Sequence, residues 1–345
     1  MNKRYGIRAF QHVVLGTVLF FAALPAHATF PGKNGRIAFV LGPDVYTMNP
    51  DGSDVKQLTN LGPDNSSAFW ESWSPDGKQI AFTEFRPPDY EGQIWVMNAD
   101  GSNQHVLLAE SDFENERPRF TPDSKSLIFS RCPAAVQTCA LYEIDVTGGA
   151  ARPLTNFELG VLDLSPAYSS QGTLVYNAVF RRGIICGLYV PDSRNSELRR
   201  LTPTGLSARF PDWSPDGKTL VFSTHCANPQ NEEIWVVNVE GNGLRRLTNN
   251  GNDYFAGPHD VYPSWSPQGD AIVFERDAPD FSSSAIFIMK RDGSSCTKLF
   301  SLPWPARANM SRAGGIHGVG MRTGSRNLLQ IEEGGADPQW GVAAN

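Results

Sequence analysis

Short apolar stretches, separated by Gly, Pro, Asp and Asn, run along most of the chain. In one representative region, residues 78–83 read KQIAFT, residues 94–97 read IWVM and residues 105–108 read HVLL. Runs of this length, rich in β-branched and aromatic residues and bounded by turn residues, predict β-strands. Ser74-Pro75-Asp76-Gly77 and Asn98-Ala99-Asp100-Gly101 have the residues that tight hairpin turns need. With a strand ending just before the first turn, this region predicts four antiparallel strands.

The same arrangement recurs down the chain. Residues 72–82 read SWSPDGKQIAF, residues 212–222 read DWSPDGKTLVF and residues 264–274 read SWSPQGDAIVF. The first-strand aromatic recurs at Trp73, Phe120, Tyr168, Trp213 and Trp265, and a later pair recurs as Leu58-Thr59, Leu154-Thr155, Leu201-Thr202 and Leu247-Thr248. A repeat somewhat longer than ~40 residues with four strands per unit is typical of a β-propeller. A β-sandwich would not explain the fixed order of turn, aromatic residue and Leu-Thr.

The two ends of the chain predict how the ring closes. Residues 36–58 supply strands two to four of a first blade, without a first strand, and residues 336–340 (ADPQW) resemble residues 261–265 (VYPSW). A C-terminal strand that completes the first blade would leave no unpaired edge. The fold class is therefore an all-β, six-bladed propeller, whose predicted blades are 30–60 with 336–340, 69–110, 117–157, 165–203, 209–250 and 261–300. Residues 301–335 are an insertion, or alternatively a degenerate seventh blade.

The N-terminus carries the pattern of a secretory signal. Lys3, Arg4 and Arg8 precede an apolar run over residues 13–26, and Ala26-His27-Ala28 matches a signal-peptidase site. A membrane anchor is disfavoured because this run is shorter than the ~20 residues that span a bilayer. We expect residues 1–28 to be removed, residues 29–345 to form the propeller, and the protein to be periplasmic or secreted.

Charge and cysteine content narrow the picture. The net charge is −6 and no cluster of Lys or Arg stands out, so a nucleic-acid partner is not expected. Disulfides persist in exported proteins. Four of the five cysteines fall in predicted connections between second and third strands, and among their three possible pairings we favour Cys132 with Cys139 and Cys186 with Cys226. A thiolate metal site is the alternative, and Cys296 is expected to be unpaired.

The motif P-x-W-S-P-D-G-K-x-I-A-F, followed by IWVMNADGS and then Leu-Thr, resembles the repeat of TolB-type six-bladed propellers. The resemblance covers roughly residues 30–300 and 336–340, and it implies a relative of a periplasmic protein of the Tol–Pal envelope system. TolB itself has an α/β domain before its propeller, for which residues 29–36 leave no room, so we expect a protein distinct from TolB. Some repeats also depart from the motif, since Ser124 replaces the turn glycine. The motif specifies a fold and leaves the function open, because propellers carry unrelated activities.

Loop lengths predict a working face. The long connections, between strands two and three and between blades, all emerge on one face, and long loops on a rigid scaffold often carry function. Three residues before each first-strand aromatic, the chain is expected to line the mouth of the central channel. These positions hold Trp70, Arg117, Ser165, Phe210, Tyr262 and Asp337; the positions one residue before the aromatic hold Ser72, Arg119, Ala167, Asp212, Ser264 and Gln339. We predict that Trp70, Arg117, Phe210, Tyr262 and Asp337 bind a peptide or an aromatic or sugar-like ligand; a water-filled channel is the simpler interpretation.

The sequence offers little evidence of catalysis. It contains neither a G-x-S-x-G nor an H-E-x-x-H motif. The main hypothesis is a non-catalytic scaffold without a cofactor that binds an envelope protein or peptide, and no catalytic residue is predicted. The alternative is a metal-assisted lyase or hydrolase on saccharides or lactones, with His225, His259 and His317 holding Zn or Mn. A third possibility is self-association through Cys296 or residues 301–335.

Overall fold

The computed structural model describes residues 31–88, 91–136, 138–180, 185–191, 198–224, 232–251, 256–302 and 337–343. These residues form six four-stranded sheets, in each of which all neighbouring strands are antiparallel. Five sheets use four strands that are consecutive in sequence, and the sixth combines the first three strands with the last one. The six-bladed propeller predicted from the repeats is therefore confirmed.

The strands of each blade follow one another from the channel outward. The first blade consists of β1 (Asn34–Leu41), β2 (Asp44–Met48) and β3 (Lys56–Gln57). Blades two and three consist of β4 (Ser67–Trp73), β5 (Gln79–Arg86), β6 (Glu91–Asn98), β7 (His105–Leu108), β8 (Phe113–Phe120), β9 (Ser126–Pro133), β10 (Ala140–Asp145) and β11 (Arg152–Pro153). Blades four and five consist of β12 (Val161–Tyr168), β13 (Leu174–Phe180), β14 (Ile185–Pro191), β15 (Leu198–Arg200), β16 (Ala208–Trp213), β17 (Thr219–Thr224), β18 (Ile234–Asn238) and β19 (Arg245–Arg246). Blade six consists of β20 (His259–Trp265), β21 (Ala271–Asp277), β22 (Ser284–Lys290) and β23 (Thr297–Leu302), and β24 (Gln339–Val342) returns to the first blade.

The C-terminal strand completes the first blade, as predicted. β24 pairs antiparallel with β1, with Ile37 opposite Trp340. Gly341 of this strand lies so close to the next blade that a Cβ atom there would come within 2.5 Å of the Trp73 ring. The ring thus closes by pairing the two ends of the chain and by tight packing between neighbouring blades.

The repeated Ser-Pro-Asp-Gly motif is a self-contained turn. The Ser74 hydroxyl donates to Asp76 (2.7 Å) and accepts from the backbone N–H of Gln79 (2.9 Å). Gly77 has φ +68°, in the left-handed region that glycine adopts most easily. Ser214 and Asp216 make the same contact in blade five. The recurrence of this motif therefore has a structural cause.

The repeated Leu-Thr pair has a structural cause as well. The Thr59 hydroxyl accepts from the backbone N–H of Val45 (2.9 Å) and donates to Asp44 (2.9 Å). In blade five, Thr248 accepts from the backbone N–H of Ile234 (3.0 Å) and donates to Glu233 (2.7 Å). In the four blades that have the pair, the threonine fixes the segment that leaves the blade to the start of the third strand of that blade.

First strands begin upstream of their predicted positions. β4, β8 and β12 start at Ser67, Phe113 and Val161, before the predicted blade starts at 69, 117 and 165. The reason is a register shift within each of these strands, after which the alternation of inward and outward side chains changes phase. The sequence pattern therefore breaks in the middle of a strand that continues.

Candidate functional site

Six residues at equivalent positions form a ring around the channel, which we call the bulge ring because the strand register shifts at this position in five of the six blades. All six have a positive φ between 34° and 57°, although none is glycine: Trp70, Arg117, Ser165, Phe210, Tyr262 and Asp337. Non-glycine residues rarely adopt this conformation, and a bulge changes the direction in which a side chain points. These are the six positions singled out in the sequence, so one backbone distortion presents six different side chains in the same way.

The bulge ring is more enclosed than the sequence suggested. Trp70, Arg117, Tyr262 and Asp337 are buried, with exposed fractions of 3–6%, and Phe210 is half-buried. These four residues have little exposed surface at the channel, and the binding role of all five stays a prediction. The bulges turn these side chains inward, where they pack against residues of neighbouring blades, and Phe210 is the predicted binding residue that solvent reaches most easily.

Contacts between blades hold the bulge ring together. The Arg117 guanidinium lies 4.3 Å from the centre of the Trp70 ring, and the Phe210 and Tyr262 rings lie 4.5 Å apart. Arg117 also forms a 2.6 Å ion pair with Glu116, in which both side chains are buried. The ring thus combines aromatic surface with buried, paired charge.

A second ring lies two residues further along the same innermost strands. Its members line a common cavity of about 60 Å³, large enough for a few water molecules: Ser72, Arg119, Ala167, Asp212, Ser264 and Gln339. Asp212 accepts hydrogen bonds from the backbone N–H groups of Trp213 (3.0 Å) and Trp265 (2.8 Å), so it also links two blades. The structure therefore brings together all six residues that the strand period placed on one side.

Charged groups connect the two rings. Arg119 lies 3.9 Å from the Asp337 carboxylate, and Gln339 donates to the same carboxylate at 3.1 Å. Burial raises the pKa of Asp337, and the positive charge of Arg119 opposes that shift. Asp337 is thus a buried acid held by two neighbours from the second ring.

Glu71 is a buried acid of the innermost strand β4 that the sequence analysis missed. Its side chain is fully buried, and neither carboxylate oxygen has a hydrogen-bond partner among the described residues. Burial, followed by the negative charge of Asp337, raises the pKa of Glu71 well above its usual range. One signal was available: the residue after the bulge is proline in the other five blades, at Pro118, Pro166, Pro211, Pro263 and Pro338.

The proposed metal-binding histidines are only partly within the described structure. His259 is fully buried, stacks on Phe281 with ring centres 4.7 Å apart, and places Nδ1 3.7 Å from a Glu232 oxygen. His225 and His317 lie outside the described residues. Within the part of the chain that is described, no three His, Cys, Asp or Glu side chains converge as metal ligands. The three-histidine site therefore remains a prediction.

One of the two predicted disulfides is confirmed. Cys132 and Cys139 are bonded, with their Cα atoms 4.3 Å apart, and close the loop between β9 and β10. Cys186 is buried in the same apolar cluster, but Cys226 lies outside the described residues, so their pairing stays a prediction. Cys296 is exposed and unpaired.

The TolB beta-propeller domain model matches residues 34–303. The chain belongs to the TolB β-propeller domain family. This TolB-type propeller is 26% identical over 240 residues to an uncharacterised protein of Agrobacterium fabrum, a match that covers 67% of this chain and 75% of the relative. It is 22% identical over 228 residues to the Tol-Pal system protein TolB of Francisella tularensis, covering 53% of this chain and only half of that protein's length.

Solved structures agree on the fold. The crystal structure of TolB from Acinetobacter baumannii superposes with a TM-score of 0.65 at 20% identity, covering 89% of this chain and 67% of the other. At this identity the likeness establishes the TolB-type propeller fold. Among the described residues, no helix of this TolB-type propeller has the length and apolar character needed to cross a bilayer.

Proposed function

We propose that this TolB-type propeller is an exported, non-catalytic scaffold that binds a protein or peptide of the cell envelope through its central channel. The bulge ring is the observation that carries this proposal. All six blades adopt the same uncommon backbone conformation there, yet their side chains are Trp, Arg, Ser, Phe, Tyr and Asp. A ring needed only for folding would be expected to repeat its side chains along with its backbone.

The chemistry of the bulge ring suits a protein ligand. Trp, Tyr and Arg are the residues most enriched among those that dominate protein–protein binding energy, especially in enclosed and desolvated positions. Here Trp70, Arg117 and Tyr262 are held within the wall, and Phe210 is partly accessible beside Tyr262. A narrow channel with prearranged aromatic and charged groups would accept an extended segment at a low ordering cost on the protein side.

The envelope location is supported by two sequence arguments. The first 28 residues have the organisation of a secretory signal, and one relative is a Tol-Pal system protein. We expect the isolated mature protein to begin at Thr29. Intact-mass measurement of protein purified from the producing cells checks this, and a chain retaining residues 1–28 would contradict export by cleavage.

A photo-crosslinking experiment tests the binding role. A photoreactive amino acid replaces Phe210 in the protein expressed in its own cells, and the control carries it at Asp100, an exposed turn residue on the opposite face. We expect a discrete adduct from position 210 only. Equal adducts from both positions would mean that the working face is misassigned, and no adduct from either would contradict the scaffold role.

A further inference from the structure

An exposed apolar patch lies among the long connections within and after blade three. The described residues include six large apolar side chains that are exposed, and three of the six lie there: Val136, Phe157 and Leu159. Leu159 is 83% exposed, far more than any of the others. Single exposed apolar residues are ordinary, whereas a group of them often marks an interaction surface. We call these three residues the blade-three patch.

The backbone places the three residues of the patch around Phe113. Phe157 stacks on Phe113, with the ring centres 6.4 Å apart. Phe113 lies opposite Pro133 in the sheet, and the backbone N–H of Val136 donates to the Pro133 carbonyl at 3.3 Å. Leu159 follows Phe157 by two residues in the same connection. The patch is therefore one surface built from two neighbouring segments.

Hydrogen bonds fix the backbone under the patch. The Glu158 carbonyl accepts from the backbone N–H of Val161 (2.9 Å), and Gly160 has φ +81°, so a tight turn presents Leu159 at its tip. The Thr138 hydroxyl donates to the same carbonyl at 2.8 Å, which ties this turn to the loop that the disulfide closes. A surface that is already ordered loses little conformational entropy when a partner binds.

A matched leucine shows that the fold does not require this exposure. In blades three and four, a leucine stands four residues after the threonine of the Leu-Thr pair: Leu159 after Thr155, and Leu206 after Thr202. Leu206 packs against the apolar cluster between blades four and five. Leu159 is exposed, so the folded protein gains little from an apolar side chain there. A partner that covers Leu159 would explain it.

The accessible charge beside the patch is negative. Asp112 and Glu158 are both exposed, and neither forms an ion pair with another described residue. The arginines of blade three that lie nearest are each paired with a glutamate: Arg131 with Glu110, and Arg152 with Glu143. Arg131 is also covered, because its side chain is only 13% exposed and its guanidinium lies 3.9 Å from the centre of the Phe113 ring. Charge complementarity therefore favours a basic partner.

We propose that the blade-three patch is a docking surface, in addition to the channel, for a segment of another protein in which apolar residues stand beside lysine or arginine. Its apolar side chains cover Phe157 and Leu159, and its basic side chains pair with Asp112 and Glu158. A second copy of this chain fits less well, because a two-fold contact would bring the same acids together. An anionic bilayer surface attracts basic segments and would repel these acids.

The test uses a displayed library of random peptides, selected on the purified wild-type protein and depleted on Leu159→Ser. We expect the surviving peptides to combine apolar residues with Lys or Arg. A synthetic survivor should bind Leu159→Ser weaker by about tenfold or more, because a leucine is no longer buried. Glu158→Gln should weaken binding less, since an exposed ion pair contributes little. Val106→Ser, which changes an exposed valine of blade two, is the matched control and should bind like the wild type, as should Phe210→Ala in the channel.

Thermal melting separates a binding role from a folding role. Leu159→Ser should melt at the wild-type temperature and Leu206→Ser clearly below it, because only Leu206 packs against a core cluster. Equal destabilisation by the two changes would overturn the proposal.

The proposal is also overturned if no peptide survives, if the survivors lack basic residues, or if Glu158→Gln tightens their binding. A wild-type dimer in sedimentation that Leu159→Ser abolishes would make a second copy the occupant. Flotation of the wild type, and not of Leu159→Ser, with anionic lipid vesicles would make a bilayer the occupant; either result contradicts the proposal. The channel is tested separately at Phe210, so these outcomes leave the scaffold function standing.

Discussion

The innermost strands contain two rings of equivalent positions, three residues apart. One ring repeats its side chains from blade to blade, and the other repeats only its backbone conformation. One ring, which we call the ring of first-strand aromatics, consists of the aromatic residue that recurs near the end of each first strand. Among its members, Phe120, Trp213 and Trp265 are buried. Trp213 packs among side chains of blades four and five, and its ring nitrogen donates to the Ala167 carbonyl at 3.3 Å. The bulge ring repeats its backbone conformation and varies its side chains. Where the residue recurs, it stabilises the contact between blades. Where only the conformation recurs, we propose that the differing side chains serve binding.

The largest expected effect comes from removing a member of the ring of first-strand aromatics. Trp213→Ala should lower the free energy of unfolding by about 3–5 kcal/mol, because it leaves a cavity between two blades. Phe210→Ala, three residues earlier and only half-buried, should cost clearly less. Urea unfolding of the two variants checks this, and an unchanged midpoint for Trp213→Ala would refute its structural role.

The Cys132–Cys139 disulfide of blade three gives a second test. Replacing Cys132 and Cys139 with serine opens a short loop, and loop-closure entropy predicts a loss of about 2.5 kcal/mol. The Cys296→Ser variant, which removes an exposed thiol, serves as the control and should unfold like the wild type. A double variant as stable as that control would show that the bond contributes nothing to folding.

Glu71 predicts a pH-dependent effect of intermediate size. Its pKa is raised in the folded protein, so the fold holds this proton more tightly than the unfolded chain does. Wild-type stability from this group is therefore lost as the pH rises above the ordinary glutamate range. Glu71→Gln should raise the free energy of unfolding by about 1–2 kcal/mol at pH 7, and by less at pH 4. A gain independent of pH would contradict the buried, protonated acid.

The smallest expected effect concerns the departure from the turn motif in blade three. Ser124 stands where Gly77 stands in blade two, and its φ is +60°. Ser124→Gly should stabilise the protein by about 0.5–1 kcal/mol, since glycine adopts this conformation without a steric cost. Gly77→Ser is the matched reverse exchange and should destabilise. Thermal melting of both variants decides whether the conformation or the residue is required.

The fold was largely predictable because its signals are local. The Ser-Pro-Asp-Gly turns, the aromatic spacing and the strand at residues 336–340 each report on a few consecutive residues, and they predicted six blades and the closure between β24 and β1. The Cys132–Cys139 bond was predictable for the same reason, as both residues flank one connection.

The candidate site was less predictable because it depends on residues distant in sequence. The bulge arises where the register of two strands shifts, and the residues at the bulge position itself are of six different types. The burial of Trp70 and Asp337 comes from neighbouring blades, and Asp337 meets Arg119 only because the chain ends close the ring. Glu71 does not stand out among residues that the repeats share, because five blades have proline at this position and only blade two has glutamate.

The central claim is that the bulge ring binds the partner, whereas the ring of first-strand aromatics stabilises the contacts between blades. The most direct test is to replace Phe210 with serine, the residue that blade four has at Ser165, which keeps a side chain known to adopt this backbone conformation. The partner captured by crosslinking at position 210 is then titrated against wild type and Phe210→Ser by calorimetry. We expect at least tenfold weaker binding with a melting temperature close to that of the wild type. Undiminished affinity in a fully folded variant would contradict the claim.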